Sequence, residues 1–183
     1  MTESIRCSWA TGGGPIYLTY HDEEWGRPLK GDDEVFERVA LEAFQSGLSW
    51  LTILRKRENF RAAFDRFSIP KVAAYTEQDV ERLLGDVGIV RNRAKIEAAI
   101  NNARAALDLP DGLSELVWSF ADPDAPVPRT MADVPATTPG SKALAKELKR
   151  HGFRFVGPTT AYALMQAIGL VNDHLEGCVA RTR

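Results

Sequence analysis

The sequence is poor in the features that would mark a membrane protein, an exported protein or a polycation. No run of about 18 apolar residues occurs, so no segment reads as a membrane span. The stretch Met1 to Arg6 is polar and no apolar stretch follows it, so a secretory leader is not expected. Lys and Arg total 23 against 25 Asp and Glu, a formal net charge of -2. Any nucleic acid must therefore be met by a local basic face. Internal repeats and low-complexity tracts are absent. There are only two cysteines. Apolar residues make up 44% of the chain, ordinary for a protein that buries a core. The length, 183 residues, suits one domain or a compact pair of lobes.

The two cysteines stand near opposite ends, and each has a histidine close by: Cys7 with His21, His174 with Cys178. Two thiolates and two imidazoles suit a closed tetrahedral zinc site. Such a site would clip the two terminal segments together, and its binding free energy would be folding free energy. Two other readings stand beside it: unrelated buried thiols, or a disulfide in an exported protein. With no leader expected, the compartment is read as cytoplasmic, which favours metal over disulfide. The spacing matches no common finger pattern.

Hydrophobic periodicity is helical nearly throughout and strand alternation is scarce, so the predicted class is all-α. Asp32 and Asp33 can cap a helix through Val35, Phe36, Val39, Ala40, Ala43 and Phe44, broken at Gly47. Ser49 can open the next, with Leu51, Leu54, Phe60, Ala63, Phe64 and Phe67 inward. Thr76 and Asp79 form a capping-box-like start, with Asp for the usual Glu or Gln, to a helix ending at Leu84 before Gly85. Asn92 or Arg93 starts a helix with Ile96, Ala99, Ile100, Ala103 and Leu107 on one face. A shorter helix is expected at about Ser114 to Phe120. Another starts at Pro139 or Ser141 and ends at Gly152, a C-terminal glycine cap. The last runs from near Pro158 to near Gly169. Between them, Asp122 to Gly140 holds five prolines and reads as an irregular connection.

Three constellations carry chemistry. Lys142, Lys146, Lys149 and Arg150 lead into Gly152 to Thr160 and an apolar helix. A glycine-bearing hairpin opening on a helix N-terminus offers N–H groups to phosphate, with lysines adding attraction. An ordinary helical hairpin with a solvated lysine face is the plainer alternative. Second, Trp9, Tyr17, Tyr20, Trp25 and Trp50 crowd the first fifty residues. Core packing is the usual role of aromatics, but Trp9, Tyr17 and Trp25 lie in a loop-like region with Gly12, Gly13, Gly14 and Pro15, where rings can hold a base or a cation. Third, Glu42 interrupts an apolar stretch. It reads either as a solvent-facing position paired with Arg38 one turn back, or as part of a polar pocket edge with Gln45, Ser46, Ser49 and Trp50.

Read together, Cys7-Ser8-Trp9, Tyr20 to Gly26, Leu41 to Trp50, Lys56 to Phe60 and Gly169 to His174 closely resemble the 3-methyladenine DNA glycosylase I family. The resemblance runs in order along almost the whole chain. It implies the all-α helix-hairpin-helix glycosylase fold, with two lobes in a single domain, 1–183, and structural zinc on Cys7, His21, His174 and Cys178. It implies a DNA-binding hairpin from Phe153 to Thr160, with Gly157, Thr159, Thr160 and Lys149 as contacts and sparser glycines than the superfamily's common form. Gly88 to Lys95 looks like the loop and helix preceding that hairpin. By position, Glu42 is the pocket carboxylate, Trp50 a stacking wall, Tyr17 and Tyr20 further pocket aromatics, and Trp9 and Trp25 base-contact candidates. Asp173, near where superfamily members keep a catalytic aspartate, is read as supporting the metal site or a helix end. The implied activity is release of 3-methyladenine from alkylated duplex DNA after base flipping, without strand cleavage, by a cytoplasmic monomer. A non-catalytic sensor of damaged DNA and a zinc hydrolase of small molecules are the rival readings.

Overall fold

The computed structural model describes residues 5–182; residues 1–4, the start of the polar stretch read as no leader, and residue 183 lie outside the described residues. Among the described residues there are nine α-helices and three short 3-10 turns, and no strand. The helices are α1 (Pro15–Glu23), α2 (Asp32–Gln45), α3 (Trp50–Ala63), α4 (Ile69–Ala73), α5 (Glu77–Leu84), α6 (Arg93–Leu107), α7 (Gly112–Trp118), α8 (Pro139–Arg150) and α9 (Pro158–Ala167). None is long and apolar enough to cross a membrane. The all-α class holds.

Helix α2 is the centre. Nine of its fourteen residues are buried, including Arg38 and Glu42, and α3, α4, α6, α7 and α9 pack around it. A helix buried along most of its length has to be surrounded. Buried apolar residues fall into two groups: one large core through α2 to α9, and a small one of Cys7, Cys178 and Ala180 with Trp9 and Leu175 against it.

Several helix starts follow the residues read from sequence. The Ser49 hydroxyl accepts from the Thr52 N–H at 3.2 Å. Asn92 accepts from the Lys95 N–H at 3.0 Å. Thr76 and Asp79 close a reciprocal box. Gly152, at φ 87, ends α8; the N–H groups of Gly152 and Phe153 return to the carbonyls of Lys149 and Leu148 at 2.9 and 3.0 Å.

Other starts differ. Asp32 and Asp33 cap neighbours rather than their own helix: Asp32 accepts from Ser114 N–H at 2.8 Å and Asp33 from Ile69 N–H at 2.9 Å. They tie α7 and α4 to α2. Helix α8 starts at Pro139, one of the two starts read from sequence, with Thr138 as its cap. Helix α7 begins two residues before Ser114. Leu107, expected inside, is 54% exposed because α6 ends there. Helix α3 stops at Ala63, and Phe64 and Phe67 are buried instead by a turn in which Asp65, Arg66 and Phe67 all have positive φ. Left-handed backbone costs roughly 1–2 kcal/mol per residue; the stacked Phe64 and Phe67 rings, 5.4 Å apart, offset it. The loop-like region around Gly12 to Pro15 is largely helical: a 3-10 turn at Ser8–Gly13, then α1 with Pro15 in its first turn. The glycines masked a start that proline favours.

Candidate functional site

Helices α1, α2, α3 and α9 enclose a cavity of about 160 Å³. Trp9, Tyr17, Tyr20, Trp25 and Trp50 line it together with Glu42; Gln45, Ala163 and Gln166 complete the wall. All six candidate pocket residues read from sequence are therefore brought together. Trp9 is the hub of the rings, edge-on to Tyr17 and to Trp25 at 5.1 Å between centroids each. Tyr20 leans on Trp50 at 5.4 Å. Three larger hollows, about 580, 640 and 330 Å³, lie beside α7 and α8, between the start of α2 and the end of α6, and between α5 and α6. None borders a buried carboxylate, and we take the smaller, aromatic cavity as the site.

Glu42 is 5% exposed and has no hydrogen bond or ion pair among the described residues. Burial pushes its carboxyl up to about 8, with the Arg38 guanidinium pulling the other way. This corrects the solvent-facing alternative. It also corrects the pairing with Arg38, which is engaged elsewhere. Arg38 donates to Glu24 at 2.9 Å, and Arg57 donates twice to the same carboxylate at 2.6 and 2.8 Å. Burial opposes the Glu24 charge, but the Arg57 and Arg38 hydrogen bonds overcome it and hold that carboxyl down at about 2. Glu24, at the end of α1, thus braces α1 to α2 and α3, the helices that carry Tyr20, Glu42 and Trp50. Sequence reading passed over it; its place in the motif Tyr20 to Gly26 was the available signal. Lys95 was passed over too. Its ammonium donates to the carbonyls of Phe44 and Ser46 at 2.9 and 2.5 Å and fixes the turn after α2. Three buried side-chain atoms lack a partner among the described residues: Arg38 Nε and Nη1, and Trp50 Nε1.

The four residues Cys7, His21, His174 and Cys178 converge, with their donor atoms all within 4.8 Å of one another and all four buried. His174 Nδ1 lies 3.2 Å from His21 Nε2 and 3.6 Å from Cys178 Sγ. Cys178 Sγ is 3.5 Å from His21 Nε2, and Cys7 Sγ 3.9 Å from His174 Nδ1. These are the edges of a tetrahedron with metal–nitrogen and metal–sulfur bonds of about 2.0 and 2.3 Å. The outer nitrogens are committed: His174 Nε2 donates to the Trp25 carbonyl at 2.9 Å, and His21 Nδ1 to Asp22 at 2.7 Å. Each imidazole therefore turns a lone pair inward. Arg6 holds Asp22 from behind at 2.9 Å. Both cysteines are free thiols, so the disulfide alternative is set aside. The donor set fits a metal ion.

The segment from Gly152 to Gly157 joins α8 to α9. Asn102, 1% exposed, grips Arg154 on both sides, donating to its carbonyl at 2.9 Å and accepting its N–H at 2.8 Å. Phe155, with φ 56, stands 41% exposed at the tip. Gly157 precedes α9 with no side chain capping its first turn. Lys149 and Thr159 are exposed, while Thr160 is half-buried and borders a void of about 10 Å³ next to Glu42.

The cavity thus gathers five aromatic rings and one buried carboxylate around about 160 Å³. The chain belongs to the methyladenine glycosylase family, whose model matches residues 9–182, and so is an enzyme of the DNA-3-methyladenine glycosylase class. It is 49% identical over 178 residues to DNA-3-methyladenine glycosylase 1 of Escherichia coli (strain K12), covering 94% of this chain and 95% of that one. A crystal structure of a 3-methyladenine DNA glycosylase I superposes with a TM-score of 0.92 at 47% identity, covering 97% and 100% of the two chains. A tyrosine-to-phenylalanine variant of such an enzyme, solved in complex with 3-methyladenine, matches at TM-score 0.92 and 36% identity over 97% and 98%.

Proposed function

We propose that the protein hydrolyses the N-glycosidic bond of 3-methyladenine in alkylated duplex DNA, taking the flipped base into the aromatic cavity and leaving the strand uncut. One observation carries this reading: a buried, unpartnered carboxylate, Glu42, faces a cavity walled by five aromatic rings. Methylation at a ring nitrogen makes the base cationic in the nucleotide, and therefore a good leaving group. The pocket then has to recognise more than to protonate. Ring faces hold a cation. The incoming charge favours ionised Glu42, which accepts from the exocyclic amine in a charge-assisted bond. As the sugar becomes oxocarbenium-like, pocket electrostatics and the DNA phosphates stabilise it while water attacks. The cavity wall holds no lysine, and buried Lys95 is engaged with carbonyls, so no Schiff-base nucleophile is at hand.

The target nucleotide has to leave the stack. Leu48, 41% exposed on the turn between α2 and α3, is placed to fill the gap as an apolar wedge. The open N-terminus of α9, with Gly157, Thr159 and Thr160, takes a backbone phosphate in the manner of a helix-hairpin-helix element, and Lys149 adds charge. Cys7, His21, His174 and Cys178 hold structural zinc, which supplies a cross-link between the terminal segments; four protein ligands leave no position for a reacting water. The protein acts as a single two-lobed domain over residues 1–183, as a monomer, in the cytoplasm on nucleoid DNA.

The test is mass-spectrometric identification of the purine released from methylated duplex DNA, with strand integrity read on a denaturing gel. Free 3-methyladenine with intact strands is expected. Tight binding of damaged DNA with no base released would leave a sensor instead of an enzyme.

A further inference from the structure

Gln166 lines the cavity from α9, and its amide is fixed from outside it. Gln166 Nε2 donates to Asp173 Oδ2 at 2.9 Å. The same oxygen accepts from the Tyr162 hydroxyl at 2.5 Å. Asp173 is 4% exposed, and its carboxylate only accepts. A flipped Gln166 amide would set two oxygens against each other, so the orientation is determined by the partner. Gln166 Oε1 is left without a hydrogen-bond partner among the described residues, on a side chain that borders the space beside Glu42.

We propose that Gln166 is a specificity-determining residue and Asp173 the positioning residue that locks it, so that the pocket meets the base with acceptor oxygens from two helices. This rests on the base-pocket reading above. A methylated adenine carries an amine, two N–H donors, on its six-membered ring where guanine carries the O6 acceptor. Acceptors from Gln166 and Glu42 meet a donor in the first case and a lone pair in the second. A site built around such a donor leaves buried polar groups unpaired when the donor is missing, and discriminates strongly. Asp173 therefore acts through Gln166, beyond the support of a metal site or helix end read from sequence.

The experiment measures kcat/KM for release of 3-methyladenine and 3-methylguanine from methylated duplex DNA. Gln166→Met keeps the length and removes the acceptor. It is expected to lower the 3-methyladenine value by about tenfold or more, to raise the 3-methylguanine value or lower it far less, so that the adenine preference falls, and to keep Tm. Asp173→Asn can donate to Gln166 Oε1 and frees the amide to turn, so the adenine preference should fall similarly. Added to Gln166→Met it should lower the preference no further, because both changes act at one point. An unchanged preference in Gln166→Met overturns the proposal even if Asp173→Asn fails to fold. A further loss in the double variant overturns the positioning role. Wild-type protein that releases neither purine removes the pocket reading and this proposal with it; wild-type release with variant-independent preference removes this proposal alone.

Discussion

The four-donor cluster and the aromatic cavity share helix α1 and treat their polar atoms in opposite ways. In the cluster each outer imidazole nitrogen has an acceptor, Asp22 has Arg6, and the Leu175 N–H reaches Cys7 Sγ at 3.4 Å. At the cavity Glu42 has no partner, and the unsatisfied buried atoms are those of Arg38 and Trp50. Buried polar groups are normally satisfied, and each exception costs roughly 1–3 kcal/mol. The first region pairs its outer polar atoms and turns four buried donors inward, a set that suits a metal ion. The second keeps a buried carboxylate unpaired against a cavity walled by rings.

That contrast can be broken most forcefully at the cluster. Cys7→Ser should lower Tm by about 10 °C while base release persists well below the new Tm. Differential scanning fluorimetry beside activity at low temperature checks it; lost turnover at unchanged Tm would make the metal catalytic. Next, Glu42→Gln should lower kcat/KM by about 100-fold, by loss of charge facing the base, without lowering Tm at neutral pH. The sign on stability is set by burial. With the folded carboxyl raised to about 8, the native state holds a proton that the unfolded chain releases near its ordinary value. Its stabilising contribution is full below that value and is lost as pH rises through about 8. Denaturant titrations across this range should show a slope in the wild type that Glu42→Gln flattens. Trp50→Ala should weaken kcat/KM by about tenfold, since stacking is worth roughly 1–3 kcal/mol per base. The smallest effect belongs to Lys149→Ala, which should reduce the salt slope of DNA binding by about one and leave the purine preference alone.

The cluster was legible because cysteine and histidine are scarce and chemically specific, so pairing the two ends needed no knowledge of the path between them. The aromatic set was legible for a similar reason. Glu42 was ambiguous from residues alone because helical spacing offered Arg38 as a neighbour; the competing carboxylate, Glu24, sits on another helix, and no local pattern reveals it. Helix ends governed by local chemistry, at Ser49, Thr76, Asn92 and Gly152, were readable. The capping of α4 and α7 by Asp33 and Asp32 was not, since those bonds span 36 and 82 residues. Helix α1 was hidden by three glycines before its proline. The lock on Gln166 was invisible for the same reason as Glu24: a carboxylate beyond the helix end decides which way an amide faces.

Tyr20 and His21 are consecutive on α1, one ring turned to the aromatic cavity and the other to the two thiols. Trp25 repeats the arrangement within one residue, its ring at the cavity and its carbonyl on His174. Oxidation of Cys7 or Cys178, or removal of a metal held there, would thus reach the cavity wall only through α1 and Trp25, and should register first as a fall in Tm, with base release failing as the terminal segments come apart.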